Sequence, residues 1–146
     1  MTAAPERNDM TKRMTLQKTF IFDAVQKLKN HPTADDVYRA VSAVYPSISR
    51  ATVYRVLNEL ATDGRISRIH VPQGADHYDF RCHPHRHCCC TVCGQVADVD
   101  VTNVPDLLGA VTDPHGFLIT GYNLTYEGIC PSCREKQENR NDRKEA

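Results

Sequence analysis

The densest chemistry in this sequence lies in its second half. Cys90-Thr-Val-Cys93 and Cys130-Pro-Ser-Cys133 are two cysteine pairs, each with a two-residue gap, and 36 residues separate them. A two-residue gap lets both thiolates of a pair reach one ion. Two such pairs are the usual sequence form of a tetrahedral four-sulfur zinc site. Gly94 follows the first pair and eases the knuckle turn that such a site needs. The expectation is one structural zinc per subunit on Cys90, Cys93, Cys130 and Cys133, with a pair of redox disulfides as the alternative.

A second cluster is imidazole-rich: His83-Pro-His85-Arg-His87, preceded by Asp79 and followed by Asp98. Side chains alternate along a strand, so His85 and His87 share one face, as a metal requires. Mixed His and Asp donors suit iron(II), manganese(II) or zinc. By spacing alone His85 and His87 are the candidate pair. His31, Asp79 and Asp98, taken singly, read more simply as capping or solvated residues. Cys89 falls on the same strand face as the histidines, and Cys88 and Cys90 on the other, so two separate metal sites are expected. Cys82, Cys88 and Cys89 are left over. Cys89 reads as a spare ligand, a redox thiol or, most commonly for a free cysteine, a small buried residue.

These residues need elements to position them. Leu16, Phe20, Ala24 and Leu28 recur at helical spacing, and His31-Pro32 ends that run. Thr33 reads as the N-cap of a second helix, with Asp36 completing a capping box and Val37, Ala40, Val41 and Val44 as its apolar stripe. Ser49 is the next N-cap. Val53, Val56, Leu57 and Leu60 then form the buried face of a third helix, which stops near Asp63-Gly64. Ile66 to Val71 and Ala75 to Phe80 read as a hairpin. Helix, helix, turn, helix, hairpin is the pattern of a winged helix-turn-helix. The outer face of the third helix displays Arg50, Thr52, Tyr54, Arg55 and Asn58. Arg can donate two bonds to a guanine edge, and the helix N-terminus favours phosphate. Beyond residue 81 the expected elements are strands at 85–90 and 95–101, a short helix at 104–111, one or two strands at 117–129, and a charged tail, helical at its start.

Composition is consistent with this division. Residues 1–70 carry 11 Lys and Arg against 7 Asp and Glu, a net +4, and residues 71–146 carry 7 against 11, a net −4. A basic half beside a Cys-rich acidic half suggests a nucleic-acid binder joined to something else. An odd count of seven Cys argues against a disulfide scaffold. No apolar run approaches the roughly 20 residues needed to cross a bilayer. Met1 to Met14 carries no apolar signal core. The expectation is a soluble, cytoplasmic protein with no membrane partner.

Six stretches together resemble the ferric uptake regulator (Fur) family of bacterial metal-dependent repressors. They are His31-Pro-Thr-Ala-Asp-Asp-Val-Tyr, Ser49-Arg-Ala-Thr-Val-Tyr-Arg-Val-Leu, His77-Tyr-Asp-Phe, His85-Arg-His87, Cys90-Thr-Val-Cys-Gly and Cys130-Pro-Ser-Cys133. The match covers about residues 10–135. The resemblance implies an α+β chain: a winged-helix DNA-binding domain with hinge at 1–81, and a metal-binding α/β dimerisation domain at 82–146. It implies a homodimer on palindromic, double-stranded operator DNA. Cys90, Cys93, Cys130 and Cys133 match the family's structural zinc ligands. His31, Asp79, His85, His87 and Asp98 match its regulatory metal ligands, for one Fe2+ (or Mn2+ or Zn2+) per subunit. Tyr54 and Arg55 match recognition-helix contacts, beside Ser49, Arg50 and Thr52. Arg13 matches a basic residue that reaches DNA ahead of the first helix.

Asp98 stands where iron-sensing members usually carry Glu, which resembles the peroxide-sensing branch. In that branch bound iron(II) reacts with peroxide, a ligand histidine (His31 or His85 by position) is oxidised, and the repressor leaves DNA. Pro84, Arg86 and Tyr122 stand where some relatives carry further ligands, so a third metal site is expected to be absent. Cys82, Cys88 and Cys89 depart from the common pattern, and a thiolate in the regulatory site would favour zinc. The expectation is a peroxide-responsive repressor that is not an enzyme; the alternative is a zinc- or iron-uptake regulator of the same family. A thiol redox enzyme and a zinc-stabilised interaction module are the readings from other classes. No thioredoxin-like arrangement surrounds either cysteine pair, which counts against the former.

Overall fold

Each helix of the N-terminal half begins at a hydroxyl side chain that accepts an otherwise unpaired amide. Thr15 caps α1 (Leu16–Leu28), Thr33 caps α2 (Ala34–Val44) and Ser49 caps α3 (Arg50–Thr62). The computed structural model describes residues 15–82 and 85–143. At α2 the expected capping box is complete: Thr33 Oγ1 accepts from the Asp36 N–H at 3.2 Å, and Asp36 accepts from the Thr33 N–H at 3.0 Å. Beyond α3 come β1 (Ser67–Ile69) and β2 (His77–Asp79), an antiparallel wing with Arg68 opposite Tyr78.

The three helices bury one core. Val53, Val56, Leu57 and Leu60 of α3 are all buried, as their spacing predicts, and pack with Ile21, Val25, Val37, Ile66 and Tyr78. Each such side chain contributes about 1.5–3 kcal/mol relative to exposure. Two helix faces differ from expectation. In α1 the buried line is Lys18, Ile21, Ala24 and Val25, while Leu16 is exposed and Phe20 stacks at the margin on Tyr45. In α2 the stripe stops at Val41, and Val44 projects into solvent at the last turn.

The C-terminal half holds β3 (Arg86–Cys90), β4 (Val96–Val99), β5 (Thr125–Gly128) and α4 (Pro131–Asp142). The sheet order is β4-β3-β5, with β3 antiparallel to β4 and parallel to β5. The architecture is therefore α+β: a winged helix-turn-helix followed by a sheet-bearing C-terminal unit. Ile69 and Val71 of the wing pack with Cys89 and Val96 of the sheet, so an apolar pad joins the two. No helix among the described residues is long and apolar enough to cross a membrane.

The segment between β4 and β5 departs from the reading of its sequence. Residues 104–111 form no helix. Pro105 restricts the chain, and Asp106 closes an isolated turn by accepting the Gly109 N–H at 2.9 Å. One turn with nothing to pack against does not propagate. Residues 117–124 are not in a strand either. Phe117 and Leu118 are 75% and 88% exposed, and pairing begins only at Thr125. The tail helix is longer than expected, starting at Pro131 with proline at the position that needs no amide donor.

Candidate metal centre

Two clusters of potential donors form, and they share no residue. In the first, β3 ends at Cys90, and Gly94, in the left-handed region at φ +76°, turns the chain so that its N–H donates to the Cys90 carbonyl at 2.9 Å. Cys93 sits inside that knuckle. Cys130 precedes α4 and Cys133 lies in its first turn. One sulfur from each of Cys90, Cys93, Cys130 and Cys133 lies within 4.8 Å of the other three, and Cys93 Sγ is 3.7 Å from Cys130 Sγ. Tetrahedral zinc with bonds of about 2.3 Å separates its sulfurs by about 3.8 Å, whereas a disulfide requires about 2.05 Å. The described cysteines are all free thiols. The N–H groups of Cys130 and Cys93 pull the Cys90 thiol down to about 6, and the Cys130 side chain pushes Cys133 up to about 12. Four sulfurs this close cannot all ionise unaided, and a divalent cation removes that repulsion. The donor set fits zinc.

The second cluster takes donors from four places. His31 lies in the hinge between α1 and α2, Asp79 ends β2, His85 and His87 flank the first residue of β3, and Asp98 lies in β4. His87 and Asp98 are direct cross-strand partners. One donor atom from each of the five lies within 4.8 Å of all the others. Asp79 Oδ2 is 2.7 Å from His85 Nε2 and 3.4 Å from both His31 Nε2 and His87 Nε2. Asp98 Oδ1 is 2.8 Å from His31 Nε2, 3.4 Å from His87 Nε2 and 3.5 Å from His85 Nε2. Donors on one ion at about 2.1 Å stand about 3 Å apart at right angles, so this spacing suits a single centre. Burial pulls the His87 imidazole below its ordinary value and leaves it neutral, as a ligand must be. Burial opposes ionisation of Asp79, but the Arg81 N–H and the His85 and His87 imidazoles outweigh it and hold the carboxyl below the usual range. A metal takes imidazole through an unprotonated nitrogen, so as ligands the three imidazoles and two carboxylates would carry two negative charges, which a divalent ion would balance. No thiol belongs to this set.

The hinge donor is held by the wing. His31 adopts φ +51°, a conformation that non-glycine residues rarely take. It persists because β2 grips the backbone on either side. The His77 imidazole Nδ1–H donates to the His31 carbonyl at 2.5 Å, the Tyr78 N–H donates to the Pro32 carbonyl at 2.9 Å, and Thr33 bridges to His77. Arg81 ties the two carboxylates together: its N–H donates to Asp79 at 2.9 Å and its guanidinium to Asp98 at 3.0 Å. The sequence reading assigned neither His77 nor Arg81 a part in the centre, since both roles depend on where β2 crosses the hinge.

Of the unassigned cysteines, Cys89 is buried in the pad between the units, Cys88 is half-buried and Cys82 is exposed. On the outer face of α3, Tyr54 and Arg55 are exposed. Arg50 pairs with Asp35 and lies 4.4 Å over the Tyr38 ring. Ser49 Oγ accepts the Thr52 N–H at 3.1 Å and contacts Thr52 Oγ1 at 2.9 Å, so both hydroxyls serve the cap. Arg13 and His83 lie outside the described residues.

Comparison with known proteins points the same way. The family model described as ferric uptake regulator family matches residues 9–127. The chain is 32% identical over 127 residues to the peroxide-responsive repressor PerR of Staphylococcus epidermidis, covering 85% of this chain and 83% of that one. It is similar in structure to the iron-bound ferric uptake regulator of Francisella tularensis, with 26% identity, a TM-score of 0.69, and coverage of 87% of this chain and 98% of that chain. The Campylobacter jejuni peroxide stress regulator is similar at 28% identity and a TM-score of 0.61, covering 80% and 88%. With its motifs, its winged helix and two donor clusters that fit metal, the chain belongs to the ferric uptake regulator family.

Proposed function

We propose that this chain is a metal-dependent transcriptional repressor that binds palindromic operator DNA as a homodimer and is released by iron-dependent peroxide oxidation of a ligand histidine. The observation that carries this reading is the convergence of five donors from both units. In this assignment the winged-helix unit is residues 1–81 and the dimerisation unit 82–146. His31 and Asp79 belong to the first, and His85, His87 and Asp98 to the second.

Side chains that share one ion across two units hold those units at one angle. The closed arrangement has all five donors in place, so it binds the ion more tightly and its population rises with occupancy. Only a fixed angle presents two α3 helices of a dimer at operator spacing. Cys90, Cys93, Cys130 and Cys133 hold zinc and keep the C-terminal sheet folded. A bound iron(II) would relay two electrons from the imidazole to peroxide, so that one peroxide oxygen takes the place of a ring hydrogen and the other leaves as water. Adding one oxygen to the ring of His31 or His85 then weakens a nitrogen donor, and the closed population falls. The curated relatives named as a peroxide-responsive repressor and a peroxide operon regulator favour this signal.

Arg50, Thr52, Tyr54 and Arg55 of α3 contact DNA, with Arg13 reaching it ahead of α1 and Ser49 setting the helix N-terminus. The exposed apolar run of Leu108, Val111, Phe117, Leu118, Ile119 and Ile129 supports dimerisation through the C-terminal unit, since a patch of that kind on a small protein marks an interaction surface.

A second reading is a zinc- or iron-uptake regulator without peroxide sensing. It is favoured by the iron-bound Francisella regulator, whose TM-score exceeds that of the Campylobacter peroxide regulator. One experiment separates them. Iron-loaded protein treated with peroxide is mapped by mass spectrometry and assayed on DNA. One added oxygen on His31 or His85, with loss of DNA binding, supports the first reading. An unmodified map with binding intact supports the second.

A further inference from the structure

The helical core holds one conspicuous cation. Lys18 of α1 is 8% exposed and stands in a line of apolar side chains. Its ammonium lies 3.2 Å from Asp63 Oδ2 and 3.5 Å from Glu59 Oε2, both contributed by the end of α3. Glu59 uses its other oxygen outward, where Oε1 accepts from Arg55 Nη1 at 2.5 Å. A chain of contacts therefore runs from a buried ammonium in α1, through one carboxylate, to the exposed arginine on the outer face of α3. The Arg55 hydrogen bond also holds the Glu59 carboxyl below its ordinary range.

An exposed pair one helical turn apart adds little to stability. This one differs because its carboxylate is fixed from behind. Glu59 cannot follow Arg55 into solvent without abandoning Lys18. The contact engages Nη1, whereas a guanidinium has five N–H donors and a guanine edge takes two. A braced arginine has less rotamer freedom to lose on binding. The same negative charge faces the direction from which phosphates would approach and weakens sequence-independent attraction.

We propose that Glu59 is a specificity-determining positioning residue, braced by Lys18 and holding Arg55 in the orientation from which it reads a base edge. The proposal rests on the DNA-binding reading above and deepens it. Both consequences of Glu59, better direct readout and weaker phosphate attraction, raise the ratio of specific to non-specific affinity.

The test uses the metal-loaded full chain and duplexes that the wild type selects from a randomised library, with a scrambled duplex as the non-specific probe. Affinities are read by fluorescence anisotropy at one fixed salt concentration. Glu59→Gln is expected to lower the specificity ratio by about tenfold, with weaker binding to selected duplex and equal or tighter binding to scrambled duplex. Lys18→Met, which keeps the buried stem, shifts the ratio the same way by less. Arg55→Ala lowers it at least as far, and adding Glu59→Gln to Arg55→Ala costs no further affinity for the selected duplex. An unchanged or higher ratio in Glu59→Gln overturns the proposal, as does an additive double variant. A wild type that enriches no sequence overturns the DNA-binding reading and this proposal with it.

Discussion

The two donor clusters differ in where their ligands come from. Cys90, Cys93, Cys130 and Cys133 all belong to the C-terminal unit, and the cluster closes the end of β3 onto the start of α4. His31, Asp79, His85, His87 and Asp98 come from the hinge, the wing, β3 with the residue before it, and β4. A centre built within one unit can stabilise that unit and has no leverage on anything else. A centre built across two units adds little to the core of either, but its occupancy sets their angle. On the proposed reading, the cysteine cluster serves folding and the histidine cluster serves regulation.

The sharpest way to break that contrast is to remove zinc. Chelation, or Cys93→Ser, is expected to unfold the C-terminal sheet, because structural zinc can supply about 10–16 kcal/mol of apparent binding free energy. The helical core, which shares no residue with the cluster, should keep its amide protection. Hydrogen exchange read by mass spectrometry checks this. Equal protection of both units with and without zinc would remove the distinction.

His87→Ala should behave oppositely. Affinity for the regulatory metal is expected to fall by more than about 100-fold, while tightly held zinc and the metal-free melting temperature stay nearly unchanged. Metal competition against a chelating dye, together with zinc analysis of the same sample, measures both. A smaller effect is expected from His77→Ala, which removes the imidazole that secures the His31 carbonyl. About tenfold weaker metal binding with zinc unaffected would place β2 in support of the hinge donor.

The least effect concerns neither cluster. Asp36 accepts the N-cap amide of α2, and the Thr33 N–H holds its carboxyl below the ordinary value. Asp36→Ala should cost about 1 kcal/mol of stability. A depressed carboxyl contributes stability that is fully present above the unfolded pKa of about 3.9 and is lost as pH falls through the lower folded value. The gap between wild type and variant, measured by denaturant titration, should therefore hold steady from neutral pH to about pH 5 and narrow in stronger acid.

What was legible in the sequence follows the same contrast. The cysteine pairs could be read from spacing because each half of that site is local. His85 and His87 could be read because alternation puts both on one face of β3. Asp98 depends on a cross-strand register that places it opposite His87, and His31 depends on β2 crossing the hinge. Neither fact is written in local pattern, so those two residues were assigned only through the family resemblance. Residues 104–111 were misread because apolar spacing alone suggests a helix where Pro105 and the Asp106 turn stop one. Lys18 broke the apolar line of α1, and its partners Glu59 and Asp63 are 41 and 45 residues away.

The claim that the histidine cluster sets the angle between units has a direct measurement. Fluorescence-transfer probes are carried on non-natural residues at Thr62, at the end of α3, and at Gln137, on α4, in zinc-loaded protein. Adding manganese(II) should collapse the distribution of transfer efficiencies to a single narrow peak in the wild type and leave His87→Ala broad. A wild-type distribution of the same width and position with and without that ion would contradict the account.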